Sequence, residues 1–370
     1  MNRYVNAHIS ERQFTILIIL GVIGDSILVL PTVIASSVKQ DAWLSMLIAF
    51  VLGLAVGGVF SGIAHKQQRK SLIEVAQSNL GIGLGSVFSL LFLFEMFICS
   101  LTLVSEMSQF MTTQMMPETP AQAIIILYTT VIIIAYRYGI KAFARMSELL
   151  FPLFLGLFVF LVVFLIPQVE VSNLQPLAAK GMGPIISGVL PAFTFGFAEM
   201  YILLMLVPHV VGNDSLTKPI LWGFFLGGAI LFVIVLFCVL VLGPNLMLTK
   251  YYPTYVLAQK IEIGNFLERV EVIITFLWII TVFYKSLILF FGLTTGISQM
   301  LRLKEDRMLT IPLGMLLLVG VVAGTPNVTV YNEIIKNYYP WFDLSFCVLL
   351  PALFLLMLHV AGKVRKSETE

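Results

Sequence analysis

The sequence predicts an all-α integral membrane protein: ten transmembrane helices in a five-plus-five inverted repeat, with helices 1 and 6 broken. Three observations carry that prediction. Of 370 residues, 59% are hydrophobic and only 11% charged, and the mean hydropathy is +0.99, far above the usage of soluble domains. Apolar runs long enough to cross a ~30 Å hydrocarbon core, at roughly 20 residues each, recur along the whole chain. Glycine beside an acid interrupts the first and the sixth of these runs, in "GVIGDSILVLP" at 21–31 and "FTFGFAEMY" at 193–201.

Taken in order as spans 1 to 10, the runs lie near Phe14 to Ala35, Ala42 to Ile63, Val87 to Thr112, Ala121 to Tyr136, Leu149 to Ile166, Pro184 to Val207, Leu216 to Leu242, Val270 to Gln299, Leu309 to Val322 and Trp341 to Ala361. Unpaired backbone groups are too costly in hydrocarbon for open strands, so each run is expected to be a helix. The first follows Arg3 and Arg12, but it is too long for a signal peptide and carries Asp25 and Pro31, so it is expected to be retained. Cys99, Cys238 and Cys347 fall inside spans and read as small buried hydrophobes. His8, His65, His209 and His359 lack metal-ligand spacing, and no nucleotide- or phosphate-binding pattern occurs. No cofactor, metal or catalytic residue is expected, and a soluble-type enzyme is disfavoured.

Orientation follows the positive residues. With the N-terminus inside, the inner segments hold Arg3, Arg12, Lys66, Arg69, Lys70, Arg137, Lys141, Arg145, Lys218, Arg302, Lys304, Arg307, Lys363, Arg365 and Lys366. The outer segments hold Lys39, Lys180, Lys250, Lys260, Arg269 and Lys336. Both termini are therefore expected in the cytoplasm. The net charge of +2 describes loop bias and points to no nucleic-acid partner.

A single transmembrane domain over 1–370 is expected to divide at the outer loop 167–184, into a first repeat of about 13–166 and a second of about 184–361. An odd number of spans per half makes the repeat inverted. Span 2 carries "GLAVGG" (Gly53, Gly57, Gly58) and span 7, its counterpart, "GFFLGG" (Gly223, Gly227, Gly228). These glycines read as close helix-packing positions. The paired breaks upstream read as a midplane binding site, because freed N–H and C=O groups are tolerated at that depth only where a cavity, ligand or ion satisfies them. A glycine kink with no ligand is the plain alternative.

"HISERQFTILIILGVIGDSILVLP" at 8–31 and "YPTYVLAQKIEIGNFLERVEVIITFLWIITVFYKSLILF" at 252–290 resemble the permease-like B subunits of spore germinant receptors, a branch of the amino acid, polyamine and organocation transporter superfamily. The stretch Ser10 to Gln13 and the arrangement of Glu268, Arg269, Glu271, Trp278 and Lys285 are its more specific parts. The resemblance implies a subunit in the spore inner membrane that recognises a small nutrient, often an amino acid. It also implies an A-type membrane subunit and a C-type lipoprotein as partners.

Asp25, Glu95, Glu199 and Lys285 sit at mid-depth of spans 1, 3, 6 and 8. A charge there costs about 2.5–3.5 kcal/mol or more, so these groups should face the bundle interior and find partners. Three acids face one base; protonation, a shared proton or a ligand amine would resolve the imbalance. Glu199 is thus expected either to accept a ligand ammonium or to pair with Lys285, and Asp25 has a competing role as N-cap of the outer half-helix. The ligand site is expected to draw on Gly21, Gly24, Asp25, Ser26, Phe195, Gly196, Glu199, Tyr201, Tyr284 and Lys285. Thr281 and Ser286 are expected to lie too far off to converge on the first break, and Lys285 to stand where a coupling cation would.

In span 3, Glu95, Cys99, Thr102, Glu106, Gln109 and Thr113 keep to one helix face at 3.6 residues per turn. They predict either a wetted route to the midplane or a seam of paired polar groups. A proton-coupled amino acid transporter and an assembly subunit that binds no ligand are the alternatives to a nutrient sensor.

Overall fold

The computed structural model describes residues 8–67, 69–178, 181–212, 215–261, 269–325 and 328–367, with side chains to 360. Arg3, Lys180, Glu268 and the side chains of Lys363, Arg365 and Lys366 lie outside the described residues. Apart from one two-residue strand pair, regular structure among the described residues is helical.

Among the described residues, nine apolar helical stretches are long enough to cross a membrane. The first, Glu11–Gln67, has 57 residues, which as one helix would measure about 85 Å, nearly three bilayer cores. It turns back at Lys39–Asp41, where Lys39 adopts φ 58°, and so supplies both span 1 and span 2. The total is the expected ten.

Span 1 consists of two half-helices, Glu11–Ile23 and Ser26–Val38, separated at Gly24 and Asp25. Span 6 runs as an α-helix over Met182–Gly196 and continues as a 3-10 helix over Ala198–Met205. That tighter winding rises about 2.0 Å per residue, so the second half of span 6 is thinner and longer than the same residues would be as an α-helix. Span 5 starts at Ile140, well before the apolar run at Leu149. Lys141 and Arg145 in those extra turns are exposed.

Sequence at the N-terminus explains how span 1 is seated. Ser10 and Gln13 form a reciprocal capping box, and Gln13 Nε2 donates to Glu148 Oε2 of span 5 at 2.9 Å, with Arg12 ion-paired to the same carboxylate at 3.5 Å. Just upstream, Ile9–Ser10 pairs in parallel with Val210–Val211, the segment that follows span 6.

Five of the six GxxxGG glycines are packing positions; Gly58 is not, because it lies on the exposed face of span 2 with no atom within 4 Å of where its Cβ would stand. A Cβ at Gly223 or Gly227 of span 7 would stand 2.5 Å or 2.8 Å from Ile18 or Val22 of span 1, while one at Gly53 of span 2 would stand 2.4 Å from the Phe197 ring of span 6. Span 1 therefore leans on span 7 as span 6 leans on span 2, the exchange an inverted repeat requires. Cys99, Cys238 and Cys347 are all buried and free.

Candidate functional site

The two breaks face each other across span 8, Glu271–Met300. At the first, Gly24 takes φ +36°, and a Cβ there would fall 2.4 Å from Lys285 Cδ and 2.9 Å from Gly21 O. Only glycine fits. The freed carbonyls find side-chain donors, as backbone groups in a dry interior must. Gly24 O accepts from Thr281 Oγ1 at 2.7 Å, and Phe195 O accepts from Lys285 Nζ at 3.4 Å.

Two sequence expectations change here. Thr281 does converge on the first break, because it lies one turn before Lys285 on the same face of span 8. Asp25 occupies the N-cap position of the second half-helix, Ser26–Val38, but makes no side-chain cap bond. Its carboxylate turns to Lys285 instead, at 2.6 Å.

Lys285 is fully buried and bridges both halves of the repeat, bonding Asp25 of span 1 and Glu199 of span 6. Around this hub lie two further buried carboxyls. Glu95 of span 3 accepts from the Tyr201 hydroxyl and, at 3.2 Å, from Cys347 Sγ of span 10. Asp343, also from span 10, lies against Glu199, and the ligating atoms of Glu95, Asp343 and Cys347 fall within 4.8 Å of one another. Four carboxyl groups thus surround one ammonium, one more than sequence reasoning counted. Asp343 and Cys347 stand four residues apart and so on one face of span 10, which takes π-helical form over Leu344–Leu349, a feature that recurs at functional sites.

The span 3 stripe is packed in this conformation. Glu95, Cys99 and Glu106 are buried, while Thr102 and Gln109 are half-buried. Thr102 Oγ1 pairs with the Tyr339 hydroxyl at 3.1 Å, and Glu106 Oε2 accepts from the Tyr331 hydroxyl at 3.2 Å. Of the residues named from sequence, Gly24, Asp25, Phe195, Glu199 and Lys285 meet directly, with Tyr201 joined through Glu95. Ser26 is buried beside the break, and its hydroxyl has no partner among the described residues. Gly21 and Gly196 serve packing, against Met200 and Leu231. Tyr284 points elsewhere, into a lateral cavity lined by Tyr138 and Phe143 of spans 4 and 5. Adjacent residues on a helix are about 100° apart, so Tyr284 and Lys285 cannot share a face.

Sequence reasoning missed Asp343, Cys347, Tyr331 and Tyr339. The available signal was an acid and a thiol four residues apart in "WFDLSFC".

Comparisons with known proteins agree with this architecture. The chain is 26% identical over 368 residues to spore germination protein KB of Bacillus subtilis (strain 168), covering 98% of each chain. Among solved structures it resembles the nucleobase-cation-symport-1 family transporter Mhp1, in a closed conformation with bromovinylhydantoin bound, at a TM-score of 0.69, 12% identity, and 95% and 78% coverage of the two chains. It likewise resembles MhsT in complex with L-phenylalanine, at a TM-score of 0.63, 12% identity, and 96% and 99% coverage. These likenesses concern the fold. A sequence profile of spore germination proteins matches residues 8–329, and the chain belongs to that family.

Proposed function

We propose that this chain is the nutrient-sensing subunit of a spore germinant receptor. A small nutrient, an amino acid in our reading, binds at mid-membrane between spans 1, 3, 6 and 8 and biases a rocking equilibrium between the two repeats. An A-type membrane subunit and a C-type lipoprotein read that equilibrium in the spore inner membrane, with both termini of this chain cytoplasmic. The observation that carries the reading is the hub itself: Lys285 joins Asp25 and Glu199 at the two helix breaks, amid an excess of carboxyl groups that favours a ligand ammonium. An ammonium arriving at Glu199 competes with Lys285 for it, which couples binding to the contact between the two halves.

Glu199→Gln tests this. Lys285 keeps Asp25, so accumulation in the membrane is expected to stay near wild type. Losing a charge-assisted hydrogen bond to an ammonium costs about 1.5–3 kcal/mol, so the germination dose response is expected to move roughly 10- to 150-fold toward higher nutrient. A variant that accumulates normally and germinates on the wild-type curve removes Glu199 from the ligand site.

A proton-coupled amino acid transporter is the second reading, favoured by the surplus of carboxyls and by the transporter fold. It predicts amino acid uptake into proteoliposomes driven by an imposed pH gradient. Absence of uptake in protein that still supports germination rejects it.

A further inference from the structure

On the face opposite the N-terminal strand, a cleft of about 540 Å³ opens between the outer half of span 1, the outer half of span 6 and the start of span 10. Its size suits a small molecule. Lys336 is its one charged lining residue. Unlike Lys285, Lys336 is exposed and forms no ion pair with a described residue. Ser37 and Asn337 on the same rim are exposed too, with no side-chain hydrogen bond among the described residues. The Ser187 hydroxyl proton is already donated to Pro184 O at 2.7 Å. The Lys336 ammonium, the Asn337 amide and the Ser37 hydroxyl can each donate to an oxyanion here, whereas Ser36 and Ser187 have given their protons to Val33 O and Pro184 O and present only lone pairs.

Pro191 and Pro340 also line the cleft. Pro191 lies one helical turn before Phe195, and Pro340 follows Tyr339; the Phe195 and Tyr339 rings are 5.4 Å apart, with Phe195 O bonded to Lys285. An aromatic pair thus separates a cation-bearing cleft from a carboxyl-rich hub. A zwitterion meets opposite charge for its two ends in the two places.

Resting on the ligand-binding reading above, we propose that this cleft captures the carboxylate of a small nutrient through Lys336, Asn337 and Ser37, before the molecule passes the Phe195–Tyr339 pair.

Trp341 lines the cleft and supplies the readout. Full-length protein in nanodiscs is titrated with the proteinogenic amino acids and with their carboxamides, and the Trp341 signal is taken as the difference between wild type and Trp341→Phe. Amino acids are expected to change that signal saturably, with the carboxamides about five- to tenfold weaker. Lys336→Gln is expected to weaken the acids to the level of the amides and to leave the amides unchanged. Equal titration by acids and amides overturns the proposal, as does an undiminished preference in Lys336→Gln. A signal that follows phosphatidylglycerol content and ignores free amino acids means that the cleft holds a lipid phosphate, which also overturns it. The same panel is run as a germination assay. Germination by an amino acid without any Trp341 response rejects the cleft alone, whereas silence in both assays rejects the mid-membrane reading with it.

Discussion

Lys285→Met is expected to be among the most damaging single substitutions in the protein. It strands two buried carboxylates at once, Asp25 and Glu199. Removing one partner of a buried ion pair ordinarily costs about 3–5 kcal/mol. The variant should therefore accumulate poorly in membranes and lose thermal stability in detergent, visible as a lowered melting temperature. Adding Asp25→Asn and Glu199→Gln together should restore much of the loss at pH 7, and each alone only part of it. Strictly additive losses in the combined variants would remove the bridging role of Lys285.

Gly24→Ala should do comparable harm by a different route. The backbone there is in the left-handed region, at φ +36°, where a Cβ costs about 1–2 kcal/mol. The methyl would also stand 2.9 Å from a backbone oxygen and 2.4 Å from Lys285 Cδ. Lys285 cannot simply swing aside, because its ammonium is held by acids from two spans. Nutrient response is expected to be lost even where protein accumulates. Gly21→Ala is the control. Its Cβ meets the Cε of Met200 at 2.7 Å, the free end of a flexible side chain, so dose response and melting temperature should change far less. Equal effects at the two positions would show that the break tolerates a side chain.

Spans, breaks and packing glycines were legible in the sequence because each is a property of one helix and its solvent. A run of some twenty apolar residues must cross, and glycine beside an acid must interrupt. Which side chains from different spans meet is another kind of fact. Glu199 and Lys285 betrayed themselves as charges in otherwise apolar surroundings, and their pairing was one of the outcomes expected for Glu199. Asp343 did not, because an acid two residues from Trp341, near the start of an apolar run, reads as an interfacial residue. Its depth comes from how span 10 packs against the spans that carry Glu95 and Glu199. Thr281 was misplaced because its role depends on where Gly24 O points, and no periodicity within span 8 encodes that direction. Tyr284 reads as a pocket-lining aromatic residue because it shares the mid-depth of Lys285, and helical geometry sends the two to different faces.

The strand pair between Ile9–Ser10 and Val210–Val211 sets a hierarchy of strengths within the bundle. A net backbone hydrogen bond contributes about 0.5–1.5 kcal/mol, and a two-residue ladder offers few of them, flanked by a partly exposed ion pair, Arg12 with Glu148, of about 1 kcal/mol at most. The mid-membrane hub, by contrast, is buried, with Lys285, Asp25 and Glu199 all shielded by the surrounding spans. Spans 1 and 6 are thus joined at one end by a fastening weak enough for thermal motion to undo. Of the two places where they are held together, the strand pair is the one expected to open first, and hydrogen exchange at Val210 and Val211 should run ahead of exchange around Lys285.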